Sequence, residues 1–299
     1  MSSPSLLRAL RPKQWTKNAV VLAALVFALG DPSQGVAGRG ITHDLWLALA
    51  AAVLFCLASS AVYLINDLRD VELDRAHPVK RLRPIAAGEL SLGLARTLAL
   101  ALGGLALAGA GWLDRQFFLV LAAYLALQVA YTFGLKRVAM LDVFIIAAGF
   151  VLRALAGAVV IHVLISPWLL ICTFLLALFL ALCKRRHELV TAPESGPSTR
   201  PSLRQYDRGL LDVLVPMVGS ATLVCYSVYT LWPETVEKFG TPNLAFTIPL
   251  VIFGLFRYLD LVYRREEGGR PEQLLLTDPP LLATVLLYGA TVLAILLSR

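Results

Sequence analysis

The chain has 299 residues, of which 58% are hydrophobic and only 16% charged, with a mean hydropathy of +0.72. Soluble domains carry about 25% charged residues, so a soluble globular protein is excluded and an integral membrane protein is indicated. The formal net charge of +7 does not point to nucleic acid, because the bases fall in short segments between apolar runs; it points to membrane lipids with anionic headgroups, anionic substrates and an excess of base on the inner side of a membrane.

Taken in order, the apolar runs give nine candidate spans at about 15–29, 45–65, 92–112, 117–133, 141–160, 167–183, 210–231, 244–263 and 280–297. A crossing helix needs roughly 20 apolar residues, fewer where interfacial anchors help. Gly, Pro and charge mark the loops between them, with clear breaks at 31–35 and 192–197. The first apolar run, 19–29, has no small-residue cleavage site in a suitable place, so no removable signal peptide is expected. The expected fold is all-α, a polytopic nine-transmembrane-helix bundle forming one domain over residues 1–299.

The bases orient this bundle. With the N-terminus inside, the cytoplasmic segments hold Arg8, Arg11, Lys13, Lys17, Arg69, Arg75, Lys80, Arg81, Arg83, Lys136, Arg137, Lys184, Arg185, Arg186, Arg200, Arg204, Arg208, Arg264, Arg265 and Arg270. The other side keeps Arg39, Arg115, Lys238 and Arg299. The asymmetry expects a multi-pass plasma (inner) membrane protein with its C-terminus outside. It gathers the loops after spans two, four, six and eight with the N-terminal segment on the cytoplasmic side.

Before the first span stands Arg11-Pro12-Lys13-Gln14-Trp15-Thr16-Lys17-Asn18. A plain basic anchor with an interfacial Trp explains part of it, but Gln14 and Asn18 add polar groups that an anchor does not need. After the second span comes Asn66-Asp67-Leu68-Arg69-Asp70-Val71-Glu72-Leu73-Asp74-Arg75, then a basic tail with Lys80, Arg81 and Arg83. On a helix, successive residues rotate by about 100°, so Asn66, Asp67, Asp70 and Asp74 fall within an arc of roughly 100° while Glu72 and Arg75 point elsewhere. Like charges on one stripe repel unless a cation sits between them. A solvated loop has no need to gather them; Mg²⁺, bound through one or two carboxylates and a substrate's phosphates, does.

Further along, Lys136 and Arg137 close span four, and Asp142 opens span five. Arg153 lies about halfway along that span, where a charge is costly; it is read either as an internal ion pair or as a functional group sharing a face with Asp142. Lys184-Arg185-Arg186-His187-Glu188 ends span six, and Arg204, Tyr206 and Arg208 precede span seven; two basic clusters on one loop suit a phosphate. Cys56, Cys172, Cys183 and Cys225 have no metal spacing and read as packing residues. Runs of small residues such as those around Ala147 and Gly157 permit tight helix contacts and a homo-oligomer.

The Asn66-Asp67-x-x-Asp70-x-x-x-Asp74 pattern on the second of nine spans resembles the aspartate-rich signature of the UbiA-type intramembrane prenyltransferase superfamily. The resemblance covers almost the whole chain. Within that superfamily, the segment 11–18, the run His77-Pro78-Val79-Lys80-Arg81-x-Arg83-Pro84-Ile85-Ala86-x-Gly88 and Lys184-Arg185-Arg186-His187-Glu188-Leu189 resemble the decaprenyl-phosphate phosphoribosyltransferase branch, which makes the lipid-linked arabinose donor of cell-wall arabinogalactan. Aromatic prenyltransferases of the superfamily carry a second acidic motif after span six; here that position is basic. One acidic and one basic motif suit one metal-bound diphosphate and another phosphate held by bases.

The resemblance implies an Mg²⁺-dependent pentosyltransferase with 5-phosphoribosyl 1-diphosphate (PRPP) as donor and a polyprenyl phosphate as acceptor. Asp67, Asp70 and Asp74 are then the catalytic residues, and with Asn66 the metal ligands. Lys80, Arg83, Lys184, Arg185 and Arg186 are expected to bind phosphate, in active-site loops at about 66–91 and 184–209. Lys13, Gln14, Lys17, Asn18, Lys136, Arg153 and Tyr206 are expected to assist. Two other readings stand beside this one: prenyl transfer from a prenyl diphosphate to an aromatic acceptor, and a lipid transporter, which the one-sided placement of the polar groups disfavours.

Overall fold

A computed structural model describes residues 3–34, 40–191 and 201–298. The expected break at 192–197, and Arg39, Arg200 and Arg299 in the count of bases, lie outside the described residues. In chain order the helices are α1 (Ser3–Leu10), a 3₁₀ segment (Pro12–Leu22), α2 (Ala23–Leu29), α3 (Ile41–Arg69), α4 (Val71–Arg75), α5 (Leu92–Leu113), α6 (Arg115–Phe133) and α7 (Leu141–Val160). They continue as α8 (Pro167–Val190), α9 (Arg208–Leu231), α10 (Pro233–Phe239), α11 (Ile248–Arg264), α12 (Pro271–Thr277) and α13 (Pro279–Leu297).

Among the described residues, eight helical stretches are long and apolar enough to cross a membrane, one fewer than the nine expected. The difference is the first span. Instead of one helix over 15–29, the chain forms the 3₁₀ segment and then the seven-residue α2. This run still connects the two ends of the bundle: Arg11 meets Asp67 at one end, and Asp31 meets Lys238 at the other. Its irregular geometry follows from its neighbours. Gly157 of α7 has no side chain, and a Cβ there would lie 1.9 Å from the Val21 carbonyl oxygen, so the segment is drawn against the α7 backbone. Asn18 Nδ2 donates to Ser59 Oγ of α3 at 3.2 Å. Wedged between α3 and α7, the segment follows the groove rather than its own helical preference.

Small residues build the rest of the core. Along α3, Ala48, Ala51, Phe55 and Ala58 recur at helical spacing and are fully buried. They meet Ala106 and Ala110 of α5 and Phe117, Leu121 and Tyr124 of α6. A second core joins α7, α8, α9 and α11 through Val143, Phe179, Leu211, Val215 and Leu261. The packing is of the small-residue kind that lets membrane helices approach closely. Side-chain caps set several starts: Asp114 Oδ1 accepts from Phe117 N at 2.7 Å, and Asp278 Oδ1 from Leu281 N at 3.0 Å. The four cysteines are free, as packing residues would be.

At about 1.5 Å per residue, the 29-residue α3 outruns a hydrocarbon core of roughly 30 Å. Its last turns therefore carry polar side chains past the apolar zone. The loops sort to two ends as the bases foretold. Residues 11–17, 66–83, 136–142, 202–206 and 272 make contacts at one end, while Gln34 Oε1 accepts from Leu164 N and Asp31 pairs with Lys238 at the other.

Candidate active site

α3 ends at Arg69, Asp70 departs from helical geometry (φ −99°, ψ 10°), and α4 resumes at Val71. The break is slight, since Asp70 N still donates to Asn66 O (3.0 Å) and Asp74 N to Asp70 O (2.8 Å). The expected stripe therefore forms, and it resolves into two halves. Asp67 and Asp74, seven residues apart, both accept from Arg83 Nη1, at 3.1 and 2.6 Å. Asn66 and Asp70, four apart, both accept from Lys136 Nζ, at 3.1 Å for the amide and 2.6–2.8 Å for the carboxylate. Arg11 adds a second guanidinium to Asp67, 2.8 Å from Oδ2, and lies 4.8 Å from the centre of the Tyr63 ring.

The stripe thus holds three cationic groups, Arg11, Arg83 and Lys136, against its hard oxygens. Burial pushes the Asp74 carboxyl above its ordinary value against the opposing pull of Arg83. Among the described residues no three His, Cys, Asp or Glu side chains converge tightly enough to hold a metal unaided; bases interleave the acids instead. That arrangement fits a divalent ion that takes one or two carboxylates here and its remaining ligands from a substrate. The Lys136 site, an ammonium among one amide and two carboxylate oxygens, shows that the donor set accepts a cation.

The tail after α4 is shaped by His77, whose Nδ1 accepts from Val79 N at 3.1 Å and Lys80 N at 3.2 Å. That turn returns Arg83 to the aspartates and leaves Lys80 within electrostatic reach of Asp74.

The N-terminal segment supplies the facing wall. Gln14 Nε2 donates to Glu272 Oε1 at 2.9 Å, and Lys17 Nζ lies 3.9 Å from Glu272 Oε2. Lys184, at the end of α8, also acts on Glu272. Burial opposes ionisation of Glu272, yet Lys17 and Gln14 hold its carboxyl below the usual value. The charges of Arg153, Arg11, Glu272 and Asp67 all act at Tyr63, so Tyr63 lies within electrostatic reach of both the aspartate stripe and Glu272. Lys13 is exposed.

Five expected ligands are occupied by the protein itself. Arg185 is 1% exposed; its Nε donates to Asp142 Oδ2 at 2.9 Å, and its Nη1 to Glu188. Arg186 binds Asp212 at 2.6 Å and lies 3.9 Å from the centre of the Tyr263 ring. Tyr206 OH donates to Asp142 Oδ1 at 2.6 Å and accepts from Met140 N at 2.8 Å. Arg153 donates to Asn18 Oδ1, Gly149 O and Tyr124 OH at 2.8–2.9 Å. Its shared face with Asp142 leads to no pairing: Asp142 turns to Arg185, Ser202 and Tyr206. Asn18 is buried and serves Arg153 and Ser59.

Glu272 and Arg11 are the site groups that sequence reasoning missed. Glu272 sits in a seven-residue helix with no motif around it. Arg11 read as one base among several in an anchor. A cavity of about 890 Å³ at the opposite end, lined by residues such as Trp168, Trp232 and Lys238, lies away from this chemistry.

Residues 20–277 match the UbiA prenyltransferase family. The chain belongs to the UbiA prenyltransferase family. It is 38% identical over 294 residues to the decaprenyl-phosphate phosphoribosyltransferase of Mycobacterium tuberculosis, covering 95% of this chain and 92% of that one. It is 36% identical over 279 residues to the decaprenyl-phosphate phosphoribosyltransferase of Corynebacterium glutamicum, covering 91% and 81%. Among solved structures, a UbiA homologue from Archaeoglobus fulgidus bound to GPP and Mg²⁺ superposes with a TM-score of 0.72 at 20% identity, over 98% of this chain and 99% of that one. That last likeness speaks for the UbiA fold, and it agrees with an all-helical, multi-pass membrane protein.

Proposed function

We propose that the chain transfers the 5-phosphoribosyl group from PRPP to a polyprenyl phosphate, decaprenyl phosphate by analogy with its relatives, and releases diphosphate. The carbon–oxygen bond from C1 to diphosphate breaks, and one from C1 to the lipid phosphate oxygen forms. The observation that carries this reading is the charge pattern of the polar end. The aspartate stripe pairs with Arg11, Arg83 and Lys136, while Lys17 and Lys184 act on Glu272, so this end is equipped for more phosphate than one metal-bound diphosphate presents.

Asn66, Asp67, Asp70 and Asp74 would hold Mg²⁺, which offsets charge on the leaving diphosphate. Lys80, Arg83 and Lys136 would turn from the carboxylates to the diphosphate as it enters. Gln14, Lys17 and Lys184, with the exposed Lys13, would hold the second phosphate. The attacking oxygen is already anionic, so positioning and electrostatics do most of the catalysis without a strong base. Arg153, Arg185, Arg186, Tyr206 and Asn18 would act through the scaffold that places these groups. The bases orient this end to the cytoplasm, with the protein in the plasma membrane and the C-terminus outside. The prenyl tail would lie along the apolar flank of the bundle.

The test is a product assay on detergent-solubilised protein. Labelled PRPP with decaprenyl phosphate and Mg²⁺ is expected to put label in the lipid phase, and a chelator to stop it. Transfer from a prenyl diphosphate to an aromatic acceptor, with none from PRPP, would overturn the reading.

A further inference from the structure

The substrate pair proposed above makes two kinds of demand. Its phosphates need cations, and its pentose, with vicinal hydroxyls, needs hydrogen-bond acceptors. The bases and the aspartate stripe answer the first demand. Glu272 is an acid that this chemistry leaves unused, and it stands among the bases: Lys17 is 3.9 Å from Oε2, and Lys184 acts on it from α8. A carboxylate there repels any phosphate that Lys17 and Lys184 would bind.

Two details indicate what Glu272 receives. A carboxylate offers about four lone-pair sites. Gln14 Nε2 takes one at 2.9 Å, the residue's own backbone N–H another, and Lys17 sits at the outer limit of an ion pair, leaving the carboxylate with capacity. Tyr258 of α11 is 3% exposed, its hydroxyl has no hydrogen-bond partner among the described residues, and it lies within electrostatic reach of Glu272. A buried hydroxyl left unpaired is costly and needs an explanation. The pentose hydroxyls are the standing donors in the substrate pair; a prenyl diphosphate has none.

We propose that Glu272 accepts a hydroxyl of the donor's pentose, with the Tyr258 hydroxyl as a second partner, and so selects a sugar diphosphate over a prenyl diphosphate. This rests on the phosphoribosyl reading above. The position of α12 serves the role. Gly268 and Gly269 bring its leading turn onto α8, where a Cβ on Gly269 would meet the His187 ring at 2.5 Å and one on Gly268 the Cys183 carbonyl at 3.2 Å. The turn is thus seated on the same helix end that carries Lys184.

The experiment compares PRPP with its 2-deoxy and 3-deoxy analogues, using wild type, Glu272→Gln and Glu272→Ala, with decaprenyl phosphate as acceptor. Wild type is expected to use at least one deoxy analogue about ten- to a hundredfold less well than PRPP, the range of a hydrogen bond to a charged acceptor. The variants are expected to lose that discrimination, with KM for PRPP raised, KM for decaprenyl phosphate not raised, and the melting temperature of Glu272→Gln in detergent kept. Equal use of all three donors by wild type overturns the assignment whatever the variants do. So does an equal loss on all three donors in the variants, or a rise confined to the acceptor KM. No transfer from any pentosyl donor overturns the phosphoribosyl reading itself, and this inference with it.

Discussion

Arg185 shows how one residue changes meaning between sequence and structure. In sequence it is the centre of a basic triplet and suits a phosphate. In the folded chain it is 1% exposed and shared between Asp142 and Glu188. Removing one partner of a buried pair leaves the other charge uncompensated, at about 3–5 kcal/mol. Arg185→Ala is therefore expected to lower the melting temperature in detergent sharply and to lose transfer by unfolding. A stable variant whose only defect is a raised KM for a phosphorylated substrate would return Arg185 to the binding site. The aspartates were legible because their spacing is local: helical geometry alone puts Asn66, Asp67, Asp70 and Asp74 on one stripe. The partners were not. Asp142 lies 43 positions from Arg185, and Gln14 lies 258 from Glu272; no local spacing reports contacts made by the closing of the bundle.

At the scale of the element, the N-terminal run 12–29 departs most from its sequence pattern. Its apolar residues read as an ordinary crossing helix, yet it folds as a 3₁₀ segment followed by the short α2. Hydropathy senses what a segment is immersed in, and it is blind to the shape of the groove that receives it. That groove depends on Gly157, where a Cβ would fall 1.9 Å from Val21 O. Gly157→Val is expected to push the segment off α7, costing about 1–3 kcal/mol as overpacking does. Transfer should fall further than stability, because Arg11, Gln14 and Lys17 ride on the displaced run. Melting curves read against kcat/KM check this; full activity in a destabilised variant would detach the segment from the site. Most of the remaining long helices sit within a few residues of their expected limits, because Gly, Pro and side-chain caps mark their ends; α8 does not, since it runs on past Cys183 to Val190 and keeps the basic segment 184–189, expected in a loop, within the helix.

For the whole molecule, the distribution of bases foretold the arrangement better than any single motif. It required the N-terminal segment and the loops after alternate spans to share one end, and there Arg11 meets Asp67, Lys136 meets Asp70, and Glu272 meets Gln14. The central claim is that this gathering of acids and bases is a binding site for a metal-bound sugar diphosphate. Equilibrium binding of labelled PRPP to the purified protein, with Mg²⁺ or with a chelator, tests it most directly. Wild type is expected to bind only with Mg²⁺, and Asp70→Ala to lose binding while its melting temperature in detergent is kept. Binding that survives both the chelator and Asp70→Ala would contradict the account.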